Sequence, residues 1–200
     1  CQGTAITVSK QATPRLAGNL ISDCRGIGIS VRSAARPSIS GNTIERCDGE
    51  GIRLTDGTTT TTASNSATTS TSSGVCVEIC DNSIVHGKSC GVLVSDGCLA
   101  EILRNKVSDN AKGGVLFRQK GGGRLVDNEL ARNILSGVEI SGDGTTPEVS
   151  QNKIFDGEQC GILVHKLGAG LIQANHISGN TLAGISVQSG GTPTVRDNVV

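Results

Sequence analysis

One asparagine recurs along this chain at a nearly constant interval, and that interval restricts the fold more than any other feature. The residues are Asn19, Asn42, Asn82, Asn105, Asn128, Asn152, Asn175 and Asn198, separated by 23, 40, 23, 23, 24, 23 and 23 positions. The long step is one period plus 17 residues, and the surplus falls in a single Thr/Ser tract. Counted from each asparagine, glycine stands at plus nine: Gly28, Gly51, Gly91, Gly114, Gly137, Gly161 and Gly184. The minus-three position is always aliphatic, reading Leu16, Ile39, Ile79, Ile102, Leu125, Val149, Ile172 and Val195. All four prolines, Pro14, Pro37, Pro147 and Pro193, fall at minus five. A fixed period of this length is the mark of a solenoid, in which each repeat buries its apolar face only against its neighbours.

Each period carries three short runs of alternating, β-branched-rich character, such as Gly161–Val164, and no ten-residue helical pattern. Short alternating runs separated by glycine read as strands joined by turns. A leucine-rich repeat has a similar period, but it needs leucines at minus eight and minus five, where this chain has mostly Gly, Lys or Pro. The expected fold is therefore all-β: a right-handed parallel β-helix of about eight rungs of 23 residues. Parallel strands stack about 4.8 Å apart, so equivalent residues should form columns. Aliphatics at minus three, plus two, plus ten and plus twelve should line the interior. The asparagines should stack amide on amide as a structural ladder. Glycine at plus nine is expected to serve a turn of positive φ, and proline at minus five to sit at a strand start.

Residues 58–73 are almost pure Thr/Ser/Ala, too polar to offset the entropy of ordering. The stretch 58–74 is expected to be a flexible insertion leaving the coil between Leu54 and Val77, either a phosphorylation target or a tolerated surface loop. Cys1 already lies inside the pattern and Val200 ends mid-repeat, so residues 1–200 are expected to form one β-helix within a longer protein.

Lysine plus arginine balance aspartate plus glutamate at zero net charge, which gives no case for nucleic acid or an anionic membrane as partner. No apolar run approaches membrane-spanning length. Among the eight cysteines, Cys24 and Cys47 share the plus-five slot on adjacent rungs, and Cys90 and Cys160 share plus eight. No spacing matches a metal site. A Cys24–Cys47 bridge and small buried thiols both remain open, and the thiols point to an intracellular setting, cytoplasmic or nuclear.

Polysaccharide-cleaving chemistry needs carboxylates at a controlled separation. The plus-four column reads Asp23, Arg46, His86, Asp109, Arg132, Asp156 and Gly179, alternating in sign as charge-paired stacking would. Neither that column nor minus one holds adjacent acids. Only Phe117 and Phe155 are aromatic, so platforms for stacking on sugar rings are scarce and a glycan partner is disfavoured. No catalytic residue, metal ligand or cofactor is assigned. The remaining candidate is an outward stripe. If plus ten and plus twelve point inward, plus eleven and plus thirteen point outward. That places Arg53, Leu93, Leu116, Glu139 and Leu163 in one column and Arg118 and His165 in the next, three leucines facing water beside arginines. Such a stripe is a candidate surface for a protein partner.

The run Asn180–Asn198, with Gly161–Ile177 before it, resembles the β-helices of F-box-type proteins. More broadly, the 23-residue template is similar to the right-handed β-helix repeat family of carbohydrate-binding and sugar-hydrolase type. The resemblance implies a non-enzymatic module that recruits substrates to a ubiquitin ligase. Two other readings stand beside it: a rigid scaffold in a larger assembly, and a polysaccharide-active lyase or hydrolase.

Overall fold

Each repeat folds as one turn of a coil, because its three apolar runs are separated by residues that favour turns over extended chain. The structure is a computed structural model that describes residues 1–56 and 76–200. These contain 23 short strands and no helix. The strands form three parallel sheets running the length of the coil, of eight, eight and seven strands. Sheet 1 comprises Ile6–Val8, Ile29–Val31, Ile52–Leu54, Val92–Val94, Val115–Arg118, Val138–Ser141, Ile162–His165 and Ile185–Val187. Sheet 2 holds the strands before each asparagine, such as Leu99–Leu103, and sheet 3 those after it, such as Lys106–Ser108. Seven full turns separate Asn19 from Asn198.

Register follows the sequence template. Val92 pairs with Val115, Ile102 with Leu125 and Val107 with Leu130, each joining the same slot of successive turns. The turns flanking residues 57–75 pair directly in all three sheets. The insertion expected at 58–74 lies outside the described residues. Pro14, Pro37 and Pro147 each immediately precede a sheet 2 strand. Pro193 lies inside the last strand of that sheet, at an edge of the pairing order.

The interior is the stack of inward columns. Ile39, Ile79, Ile102, Leu125, Val149 and Ile172 are all fully buried at minus three, and Ile52, Val92, Val115, Val138 and Ile162 at plus ten. Phe117 fills the plus-twelve column mid-stack. Each such side chain contributes about 1.5–3 kcal/mol by leaving water.

Two of the corners are built on opposite principles. At the asparagine corner, each Nδ2 donates to the carboxamide oxygen of the next asparagine, at 2.9 Å for Asn82 to Asn105 and 3.0 Å for Asn105 to Asn128. The same oxygen accepts the backbone N–H of the preceding asparagine, 2.8 Å from Asn105. Nδ2 also reaches the minus-three carbonyl one turn back, as Asn128 does to Ile102 at 2.8 Å. One side chain thus satisfies backbone groups of two turns that are buried from water.

At the glycine corner the expectation of positive φ does not hold. None of the seven plus-nine glycines has positive φ. They are required because a side chain has no room. A Cβ on Gly28 would stand 2.5 Å from the Gly51 carbonyl oxygen and 2.7 Å from Ile44 Cγ2. On Gly137 it would stand 2.5 Å from Ile154 Cγ2 and 2.8 Å from the Gly161 oxygen. Positive φ belongs instead to three other places in the turn: plus four (Asp23, Arg46, His86, Asp109, Arg132, Asp156, Gly179), minus one (including Asp81, Arg104 and Asp127) and the corner after each sheet 1 strand (including Ser33, Asp96, Gln119, Lys120 and Lys166). Most of these residues are not glycine, and each carries a backbone cost of order 1 kcal/mol.

Candidate partner-binding face

The outward face of sheet 1 is set by the alternation of its strands, since plus ten and plus twelve are committed to the core. Arg53, Leu93, Leu116, Glu139 and Leu163 follow one another in a single paired ladder. Arg118, Ser141 and His165 form the next column. The predicted site residues therefore do lie side by side, but they are not equivalent. Leu116 and Leu163 are half-buried and Arg118 is exposed. Leu93, expected to face water, is 2% exposed. Sheet alternation fixes the side to which a residue points, not how much covers it, and Leu93 sits between Arg53 and Leu116 in the ladder.

Polar groups on this face are partly committed to one another. His165 Nε2 lies 2.9 Å from Glu139 Oε1, a diagonal contact between neighbouring strands. Arg53 donates to Glu50 at 3.0 and 2.6 Å. Arg118 forms no ion pair or hydrogen bond through its guanidinium among the described residues. It lines a shallow recess with Gln119, Lys120, Ser141, Gly142 and Asp143, where the chain turns out of sheet 1. Sequence reasoning did not single out Glu50, Ser141 or Lys120. The ladder spacing placed Ser141 beside His165 and could have found it.

Elsewhere on the coil several charged groups pair between turns. In the plus-four column Arg46 grips Asp23 at 2.8 and 3.0 Å, and Arg132 grips Asp109 at 2.7 and 2.8 Å. Arg104 does the same to Asp81 at minus one. In each case the guanidinium hydrogen bonds hold the aspartate carboxyl below its usual range. Sheet 2 carries a column missed in the sequence, where Glu78 pairs in register with Glu101, Glu101 with Arg124 and Arg124 with Glu148. Arg124 bridges Glu101 at 3.5 Å and Glu148 at 3.2 Å.

Cys24 and Cys47 form no disulfide with one another and stack as buried thiols. Burial raises the pKa of both, pushes Cys90 up to about 12 and, with the Glu101 charge, Cys76 up to about 11. Thiols held protonated are weak nucleophiles and weak ligands. Among the described residues no group of three or more His, Cys, Asp or Glu could hold a metal ion. Nor does any described helix have the length and apolarity to cross a membrane.

Comparison with known proteins agrees with this geometry. The family model of the right-handed beta helix region matches residues 1–98 and again 90–200. Crystal structures of the periplasmic alginate epimerase AlgG share the fold. A double mutant of that enzyme superposes with a TM-score of 0.78 at 13% identity, covering 98% of this chain and 47% of the epimerase chain. Another AlgG structure superposes at 0.74 with 14% identity, over 92% of this chain and 44% of the other. The chain thus spans less than half the length of the structures it resembles. At that identity the likeness concerns the fold. Among curated protein sequences none matches.

Proposed function

The chain belongs to the right-handed β-helix family, and from that premise we propose that it is a non-enzymatic protein-binding β-helix whose contact face is the outside of sheet 1. The observation that carries this reading is the pair Leu116 and Leu163. They occupy the same outward column, half-buried, on either side of the Glu139–His165 contact. Half-buried aliphatics beside an oriented polar pair and an uncommitted arginine have the composition of a protein contact patch. The role we assign is substrate recruitment of the F-box ubiquitin-ligase type, in an intracellular setting, cytoplasmic or nuclear.

A polysaccharide-active reading has one observation in its favour, the stacked Glu78 and Glu101 on sheet 2. Against it, Arg124 bridges Glu101 and Glu148, which ties Glu101 into an ion-paired network.

A photo-crosslinking residue at position 116, in cells of the source organism, tests the proposal. The expected result is a discrete protein adduct that disappears in a Leu163→Ser background, with the melting curve moved by no more than about 2 °C. Equal adducts from a control at position 129, or adducts with glycan alone, would overturn it. Recruitment further predicts that depleting the full-length protein lengthens the life of the captured partner. An unchanged lifetime would make the face a scaffold contact instead.

A further inference from the structure

Six arginines lie between positions 46 and 132: Arg46, Arg53, Arg104, Arg118, Arg124 and Arg132. Five close onto a carboxylate. Arg118 alone has no such partner among the described residues, and it is exposed at the rim of the leucine column. Its surroundings do not neutralise it. Lys120 lies on the same turn and Lys166 at the equivalent corner two turns on. Neither lysine is in an ion pair among the described residues. Of the acids nearby, Glu139 Oε1 lies 2.9 Å from His165 Nε2, and Asp143 shares the recess with Lys120 and Arg118. A molecule that pairs its other mid-stack arginines leaves three cations facing outward here, next to two half-buried leucines.

We propose that the occupant of this face is an extended peptide segment carrying an acidic residue beside an aliphatic one, with a carboxylate taken by the Arg118 guanidinium and the aliphatic side chain laid against Leu116 and Leu163. This rests on the protein-binding reading above and adds the chemistry of the partner. A guanidinium presents two parallel N–H donors to a carboxylate, giving direction as well as charge. An extended peptide fits because sheet 1 is a regular ladder of parallel strands with rungs about 4.8 Å apart, which offers a row of positions rather than a closed pocket. Lys120 and Lys166 act at longer range, steering an acidic segment to the rim. The leucines distinguish a peptide from an anionic polysaccharide, which would have no aliphatic group to place on them.

The test uses the whole chain and three fluorescent probes: an alternating Glu/Leu peptide, an alternating Lys/Leu peptide of equal length, and an oligouronate. The Glu/Leu peptide should bind in low salt, weakening about tenfold or more in Arg118→Glu. That variant should in turn gain affinity for the Lys/Leu peptide, and this reversal separates a direct contact from a structural defect. Absence of Glu/Leu binding, or equal binding to both proteins, would overturn the proposal. So would Arg118-dependent binding of the oligouronate without the peptide, which would make the ligand a polysaccharide. A protein adduct at position 116 that depends on Leu163 but not on Arg118 would sink this inference while leaving the protein-binding reading intact. Loss of that adduct and of peptide binding together would remove both.

Discussion

The asparagine corner and the glycine corner repeat with the same period, yet they enforce it in opposite ways. At the first, a side chain is present at every turn to hydrogen-bond backbone groups that water cannot reach. At the second, a side chain is absent at every turn because the next turn's carbonyl oxygen and an aliphatic methyl, or at Gly184 the Val200 side chain, occupy its place. One corner is specified by bonds made and the other by space withheld, so substitutions at the two should fail differently. A lost hydrogen bond has a bounded cost, whereas a clash with backbone has to be relieved by moving a whole turn.

The largest effect expected is therefore at the glycine corner. Gly137→Ala should cost about 2–4 kcal/mol, since neither the Gly161 oxygen nor Ile154 Cγ2 can yield independently. Gly144→Ala is the control. There φ is +73 and the nearest atoms belong to the flexible Lys120 side chain, so only the strain of about 1 kcal/mol should appear in urea melts. Equal losses at the two sites would mean that the plus-nine glycines are not sterically special.

Next comes the asparagine corner. Asn128→Leu should cost on the order of 1–3 kcal/mol, from orphaned groups on Ile102, Val126 and Asn105. Asn128→Asp should be as damaging or worse near neutral pH, where a charge would sit in a buried stack. Stability equal to the parent in both variants would make the corner a solvated turn.

On sheet 1 the leucines should separate. Leu93→Ala should lower stability by about 2–3 kcal/mol because Leu93 is buried. Leu116→Ala should lower it by less than about 1 kcal/mol while weakening partner capture. If the two exchanged behaviour, the binding face would have to be redrawn around Leu93.

The smallest effect belongs to the Arg–Asp pairs. Asp23, Asp81 and Asp109 have folded pKa values below the usual one, chiefly through hydrogen bonds from Arg46, Arg104 and Arg132. Their stabilisation is present above pH about 4 and is lost as the pH falls through the lowered values. Arg132 is half-exposed and Asp109 a quarter exposed, so solvent screens the pair and Arg132→Ala at neutral pH should cost about 1 kcal/mol or less. A larger loss would show that positive-φ backbone at plus four depends on the pairing.

Much of this architecture was legible in the sequence because a solenoid projects its periodicity directly into space. The inward columns at minus three and plus ten, the asparagine stack and the Asp23–Arg46 and Asp109–Arg132 pairs all follow from slot arithmetic. What escaped was what slots do not encode. The reason for Gly28 and its equivalents is a contact between turns, which only three-dimensional packing reveals. The burial of Leu93 depends on the bulk of its ladder neighbours Arg53 and Leu116, while register specifies only direction. A second amide contact, Asn110 to Asn133 at 3.1 Å in the plus-five slot shared with Cys24 and Cys47, was hidden because that slot changes residue type along the stack. The stacked Glu78 and Glu101 were missed because their column mixes Arg, Ser, Glu and Leu. The outward stripe was legible as a location, but not the pairing that leaves Arg118 uncommitted.

The central claim, that the asparagines act as one connected ladder and not as separate caps, is tested most directly by a double-mutant cycle on Asn128 and Asn152. Asn128 donates to Asn152 through both its backbone N–H at 2.9 Å and its side chain at 3.0 Å. With both residues replaced singly and together by alanine, urea unfolding should give a coupling energy of about 0.5–3 kcal/mol. Single losses that simply add, with a coupling indistinguishable from zero, would contradict the ladder.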